Sequence, residues 1–167
     1  MTRRNLLGAL ATALGAPTLA TLAGGRAQAA SDPDPKRADR LVLTEAQWRQ
    51  RLTPDQYHVL RDEGTEPPHS SALNAEKRKG RFVCAGCGLP LFSSEAKYDS
   101  GTGWPSFYSP LPNALGTKRD WKLVLPRTEY HCARCGGHQG HVFDDGPAPT
   151  GLRYCNNGVA LRFEVDK

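Results

Sequence analysis

Five cysteines carry the reactive chemistry of this 167-residue chain, and their spacing divides them four and one. Cys84-Ala-Gly-Cys87-Gly88 and Cys132-Ala-Arg-Cys135-Gly136 are two copies of one knuckle, whereas Cys155 stands alone in Arg153-Tyr-Cys-Asn-Asn157. Two C-x-x-C pairs supply the four thiolates of a closed tetrahedral Zn²⁺ site, which builds structure and leaves no position for a reactant. The glycine after each pair suits a turn that needs positive φ and aims backbone N–H groups at sulfur. The 44 residues between Cys87 and Cys132 make the metal a pin between two distant turns. Loop closure costs little more as the loop lengthens, and structural zinc contributes on the order of 10 kcal/mol. Two disulfides, or two redox-active pairs, are the competing use of the same four residues.

Cys155 is then the candidate nucleophile. Arg153, two residues upstream, lies on the same face of a regular strand, and a cation there favours the thiolate. The bland alternative is a small buried hydrophobe, the commonest fate of a lone cysteine. His138 and His141 flank Gly140. In a regular strand residues three apart face opposite ways, so the two imidazoles converge only if the backbone turns. Either could protonate a leaving oxygen near neutral pH, and as a His-x-x-His pair they could also hold a metal. Trp104, fixed between Gly103 and Pro105, offers a rigid indole to an apolar or sulfur-bearing ligand, or equally an anchor for its own loop. His58, His69 and His131 have no such company.

These groups need a scaffold, and the chain divides into a leader, a tether and one domain. Residues 1–29 hold a twin arginine (Arg3-Arg4), a short run of Leu, Ala, Gly and Thr, and Ala27-Gln-Ala29. That is the pattern of a removable twin-arginine export signal, too short to span a membrane. It implies a periplasmic protein with no membrane association after cleavage. Thiolates are unexpected outside the cytosol, and export of an already folded, zinc-loaded domain removes the conflict. Without the leader's three arginines, 19 basic side chains face 17 acidic ones, so no concentrated basic face points to nucleic acid. Residues 30–40 are charged, Pro-containing and aperiodic, a flexible linker.

In the domain, residues 41–167, Thr44-Glu-Ala-Gln47 and Thr53-Pro-Asp-Gln56 are capping boxes for two short helices, with Leu43/Trp48 and Leu52/Tyr57 as hydrophobic staples and Gly64 as a C-terminal stop. The polar stretch 64–80 is long for a loop and must wrap the domain or shape a site. From Arg81 onward short strands are expected at 81–84, 89–92, 121–125, 128–132, 141–143 and 158–165, punctuated by Gly/Pro clusters. The expected class is mainly β, two antiparallel sheets with a four-cysteine zinc site and a short helical N-terminal segment.

Taken together, Leu52-Thr-Pro-Asp-Gln-Tyr57, Gly64-Thr-Glu66, the two knuckles, Tyr98-Asp-Ser-Gly101, Gly103-Trp-Pro-Ser-Phe107, His138-x-Gly-His-Val-Phe143, Asp145-Gly-Pro147 and Pro149-Thr-Gly-x-Arg-Tyr-Cys-x-Asn157 resemble the B-type methionine sulfoxide reductases over residues 44–163. The resemblance implies reduction of methionine R-sulfoxide, free or protein-bound. Cys155 would attack sulfur, His141 with His138 beside it would protonate oxygen, Trp104 would hold the methyl group, Asn157 would position the site and Arg153 would support Cys155. It also implies one structural zinc and a monomer served by an external thiol, either thioredoxin-like or of low molecular weight. Two places depart from the family pattern. Thr102 stands where many relatives carry a resolving cysteine, so the Cys155 sulfenic acid has no internal partner. Asn156 and Gly158 replace an apolar residue and a serine, which predicts a more polar and flexible pocket edge. A non-catalytic zinc-ribbon binding module is the competing reading; a zinc-dependent carbon–sulfur lyase would need an open metal position that a four-thiolate cage lacks.

Overall fold

The computed structural model describes residues 34, 36–121 and 126–166. The expected leader, most of residues 30–35 and residues 122–125 of the expected 121–125 strand lie outside them. Where it is described, the segment expected to be a flexible linker is bonded to the second knuckle. The N–H groups of Asp34 and Leu41 donate to the carbonyls of Ala133 and Arg134 (3.0 and 2.8 Å), and Asp39 pairs with Arg37 and Arg134.

Both capping boxes form. Thr44 caps α1 (Glu45–Arg51) and Thr53 caps α2 (Pro54–Leu60), each with its glutamine reaching back to the cap N–H. Trp48, Tyr57, Val59 and Leu60 are buried, so each helix, too short to be stable alone, is held by the apolar side it presents to the core. Helix α2 stops at Leu60 with Arg61 as its cap, not at Gly64. The chain instead turns through Glu63 at φ 56°, and the Gly64 N–H returns to the His58 carbonyl (2.9 Å). None of the helices among the described residues is long and apolar enough to cross a membrane.

After the 64–80 connection the chain is β. A three-stranded sheet has the order β2–β1–β9, with β1 at Gly80–Cys84, β2 at Pro90–Ser93 and β9 at Leu161–Val165. A six-stranded sheet has the order β3–β4–β8–β7–β6–β5: β3 is Lys97–Tyr98, β4 Ser106–Phe107, β5 Leu115–Asp120, β6 Arg127–Cys132, β7 His138–Phe143 and β8 Arg153–Asn156. Every pairing among the described residues is antiparallel. Between the sheets Phe92 stacks on Phe107 (centroids 4.1 Å apart) and Phe82 meets Phe107 edge-on (4.9 Å), so aromatic burial supplies much of the core.

Three expectations about strands change. Leu115–Asp120 is a strand at the edge of its sheet; its polar sequence carries no apolar alternation, because before Asp120 none of its side chains is buried. Cys155, outside the expected strand ranges, lies inside a strand of its own, β8, ahead of β9. Residues 158–160 form a 3-10 turn, so β9 begins only at Leu161.

One irregularity matters for function. In the β6–β7 ladder Tyr130 pairs with Gly140 and His131 pairs with His138, so Gln139 is an extra residue, a bulge. The bulge cancels the alternation between 138 and 141 and puts both imidazoles on the face that carries Glu129 and His131. Their rings lie 5.5 Å apart.

Candidate active site and zinc centre

Lys118, Glu129, His141, Cys155 and Ser106 form one cross-strand row through β5, β6, β7, β8 and β4. Residues directly opposite in antiparallel strands share a face, so the thiol of Cys155 and the imidazole of His141 emerge side by side. Gly140 allows the two strands to meet here, since a Cβ on it would lie 1.9 Å from the Cys155 carbonyl oxygen. With Trp104 and Arg127 these side chains line a cavity of about 130 Å³, closed further by Thr65, Phe143 and the backbone around Asn156. At about 30 Å³ per water, that is room for one small side chain.

The cavity is electrostatically shaped from its back wall. His141 Nε2 lies 2.7 Å from Asp120 Oδ2, and Arg127 Nη2 donates to the same oxygen at 2.7 Å. Burial pushes the His141 imidazole below its ordinary pKa; Asp120 opposes this, while the nearby Arg127 and His138 add to it. Cys155 is half-buried, and burial raises its thiol above the ordinary value despite the Arg153 charge and the Thr102 hydroxyl, which pull it down. Arg153 thus favours the thiolate as expected, but burial outweighs it. Arg153 is bidentate to Asp145 (2.7 and 2.8 Å) and stacks over Phe143 (4.3 Å), so part of its charge is already compensated.

His138 is fully buried, and its ring is not part of the cavity wall. Its Nδ1 sits 3.1 Å from Glu129 Oε1, and Glu129 Oε2 is 3.2 Å from Lys118 Nζ, which also pairs with Glu63. Burial works to raise the Glu129 carboxyl, but His138 and Lys118 outweigh it and hold Glu129 below the usual carboxylate range. The structure thus places His138 behind His141, anchored to the buried Glu129 carboxylate.

Trp104 and Asn157 are held by one residue of the long connection. The Glu66 carbonyl accepts from Trp104 Nε1 (3.1 Å), its N–H donates to Asn157 Oδ1 (3.0 Å), and its carboxylate accepts from the N–H groups of Gly158 and Val159 (2.6 and 2.8 Å). The 64–80 segment therefore shapes the site. Asn157 is buried, with Nδ2 donating to the Gln139 carbonyl (3.0 Å). The expected polar, flexible edge does not form. The Asn156 side chain is fully buried and bonded to Tyr130, and a Cβ on Gly158 would sit 2.0 Å from Ser71 Oγ, so glycine here is a tight contact.

At the other end of β1 and β6 the four knuckle sulfurs converge. Cys84 and Cys135 are 3.7 Å apart, Cys87 and Cys132 3.5 Å, and all four lie within 4.8 Å of one another. A tetrahedron of Zn–S bonds near 2.3 Å requires sulfur–sulfur distances of about 3.8 Å, whereas disulfide bonding would bring sulfurs to about 2.05 Å. The set fits Zn²⁺. Gly88 and Gly136 take the expected positive φ (76° and 68°), and their N–H groups close the knuckles onto the Cys84 and Cys132 carbonyls (2.8 Å each). A bound zinc would hold the β1–β2 turn to the β6–β7 turn.

Sequence reasoning misses Asp120, Glu129 and Arg127, which have no motif of their own. Glu66 stands inside Gly64-Thr-Glu66 with no role that the sequence reveals, and nothing marks Gln139 between its two histidines.

A half-buried thiol set beside an imidazole and an indole, on a two-sheet scaffold stapled by four other cysteines, defines a zinc-containing thiol oxidoreductase. A family model described as the SelR domain matches residues 52–165. The peptide methionine sulfoxide reductase MsrB of Methanosarcina barkeri is 52% identical over 125 residues, 74% of this chain and 88% of that protein. The MsrB of Bradyrhizobium diazoefficiens is 52% identical over 127 residues, 75% and 91% of the two chains. The chloroplastic peptide methionine sulfoxide reductase B1 of Arabidopsis thaliana is 48% identical over 124 residues, 74% and 61%. The chain belongs to the SelR-domain family of methionine sulfoxide reductases.

Proposed function

We propose that this protein reduces the R epimer of methionine sulfoxide, and that the pairing of Cys155 with His141 beside Trp104 carries the chemistry. The methyl group rests against Trp104, leaving sulfur near Cys155 and oxygen near His141. The Cys155 thiolate attacks sulfur while His141 gives its proton to oxygen. The oxygen passes to Cys155 as its bond to the methionine sulfur breaks, leaving methionine and a cysteine sulfenic acid. Two thiol equivalents then restore Cys155, releasing water and a disulfide. A positioned general acid contributes typically 10² to 10⁴ in rate. Arg153 and Thr102 stabilise the thiolate, His138 backs His141, and Asn157 holds the strand end through Glu66 and Gln139.

The other four cysteines are committed to zinc, so the reductant acts on Cys155 directly from outside, as a small thiol or a thioredoxin-like protein, on a monomer. Residues 1–29 fit delivery to the periplasm as a folded, zinc-loaded domain. Incubation with dithiothreitol and the separated R and S sulfoxides of a blocked methionine tests the reaction. Consumption of R alone is expected; consumption of neither, by a folded protein, refutes it and returns the chain to a binding role.

A further inference from the structure

Gln139 is the extra residue of the β7 bulge, fully buried, and it touches both functional sites. Its Nε2 donates to Cys84 Sγ (3.5 Å), a zinc ligand, and its Oε1 accepts from Asn156 Nδ2 (3.4 Å). Its backbone carbonyl accepts twice from Asn157, from N (2.8 Å) and from Nδ2 (3.0 Å). Asn156 is pinned in turn by the Tyr130 hydroxyl on Oδ1 (2.8 Å). A continuous hydrogen-bonded path therefore runs from the metal cage to the two residues that follow Cys155.

The direction of each bond is fixed by chemistry. A metal-bound thiolate only accepts, so the amide must turn its NH₂ to Cys84. That leaves Oε1 facing Asn156, whose NH₂ is turned the same way because it also donates to the Asn157 carbonyl (2.8 Å), leaving Oδ1 to accept from the Tyr130 hydroxyl. Reversing either amide would set two donors or two acceptors against each other in a fully buried site, where the mismatch is costly. The thiolate charge at Cys84 thus orients the Gln139 amide from one side, and Asn156, held by the Asn157 carbonyl, meets it from the other.

We propose that Gln139 is a positioning residue that couples the zinc centre to the catalytic strand, so that a change at Asn156 alters how firmly zinc is held and loss of the Cys84 thiolate loosens the backbone behind Cys155. Coupling of this kind is reciprocal, and it is read at the metal without any turnover, so it stands or falls separately from the proposed reaction.

Zinc transfer from the whole protein to a chromogenic chelator tests it, with kcat and KM measured on the same samples. Gln139→Met keeps the volume and removes both side-chain bonds. It is expected to speed zinc transfer roughly tenfold, the usual weight of a hydrogen bond to a metal ligand, and to lower kcat more than it raises KM. Asn156→Leu touches no sulfur, yet is expected to speed zinc transfer about threefold, as one bond orienting Gln139 is lost. The double variant should match Gln139→Met alone, because Asn156 acts through Gln139. Zinc transfer at the wild-type rate in either single variant overturns the proposal, as does a double variant in which the two accelerations multiply. Should Gln139→Met not fold, Gln139→Asn, polar but one methylene too short to reach both partners, answers the same question.

Discussion

Replacing Asp120 by asparagine removes one charge and little volume, and it isolates how the back wall of the cavity sets the reacting protonation state. Burial holds His141 below and Cys155 above their ordinary pKa values. Between those two values the resting pair is a neutral imidazole and a thiol. The reacting pair, imidazolium and thiolate, has the same number of protons, so its share of the population is independent of pH there. That share is set by the distance between the two pKa values. Asp120 raises His141, so its loss lowers that pKa further and shrinks the reactive share. A hydrogen bond to a charged group contributes about 1.5–3 kcal/mol. Asp120 Oδ2 is shared between His141 and Arg127, which argues for the lower end, and about 1.4 kcal/mol is a factor of ten. The assay is kcat/KM for a blocked methionine R-sulfoxide from acid to alkaline pH, which reports the free enzyme's acid and base. In Asp120→Asn the plateau is expected to fall roughly tenfold, the acid limb to move down by about one pH unit, and the alkaline limb to stay in place. An unchanged plateau, or movement of the alkaline limb alone, would refute this assignment of His141 and Cys155.

Three further outcomes can be checked directly. Cys155→Ser should keep its zinc and melting temperature while losing turnover, whereas Cys84→Ser, which breaks the metal cage, should lose zinc and cooperative unfolding together; circular dichroism and metal analysis separate them. After one turnover with excess sulfoxide the wild-type protein should show no intramolecular disulfide. In Thr102→Cys, where a thiol replaces the hydroxyl that reaches Cys155, thiol titration and peptide mapping should find a disulfide joining Cys155 to the introduced thiol. Glu66→Gln leaves one of two part-buried N–H groups, on Gly158 and Val159, without its carboxylate acceptor; a cost of about 2 kcal/mol should lower the melting temperature by roughly 5 °C, and an unchanged midpoint would count against the clamp.

The parts of the molecule legible in the sequence are those whose cause is local. Thr44 and Thr53 carry their capping partners three residues away, and each C-x-x-C-G knuckle contains its own turn, so helices and zinc ligands can be placed without knowing what packs on what. The edge strand Leu115–Asp120 is invisible because nothing in its composition marks it; its strand character comes from pairing with β6. Asp120 is lost with it, since a carboxylate becomes a partner of His141 only once β5, β6 and β7 lie side by side. The net shift of the Cys155 thiol is hidden from the sequence for a related reason. Arg153 is visible two residues away, but the burial that outweighs it, and the Asp145 that shares its charge, come from the assembled fold. The convergence of His138 and His141 hangs on a single inserted residue, whose bulge shows only in the register.

Burial of Cys155 also decides what the protein must guard against. Thiolate character drives oxidation of cysteine, so a thiol raised by burial is a poor target for peroxide while the cavity is empty. On the proposed mechanism it would become a nucleophile when a sulfoxide oxygen, brought to His141, takes a proton as the sulfur is attacked. The exposure comes afterwards. With Thr102 beside Cys155 and the remaining cysteines set for zinc, a Cys155 sulfenic acid would have no internal thiol to capture it, and on the proposed cycle its lifetime would be that of an encounter with the external reductant. Further oxidation to the sulfinic acid competes over that interval. The same small cavity, lined by Trp104 and Phe143, would set both rates, since on the proposed cycle substrate and reductant alike enter it to reach Cys155. Protection before turnover and dependence on reductant supply after it would therefore be two consequences of one placement, a lone cysteine in the middle of β8.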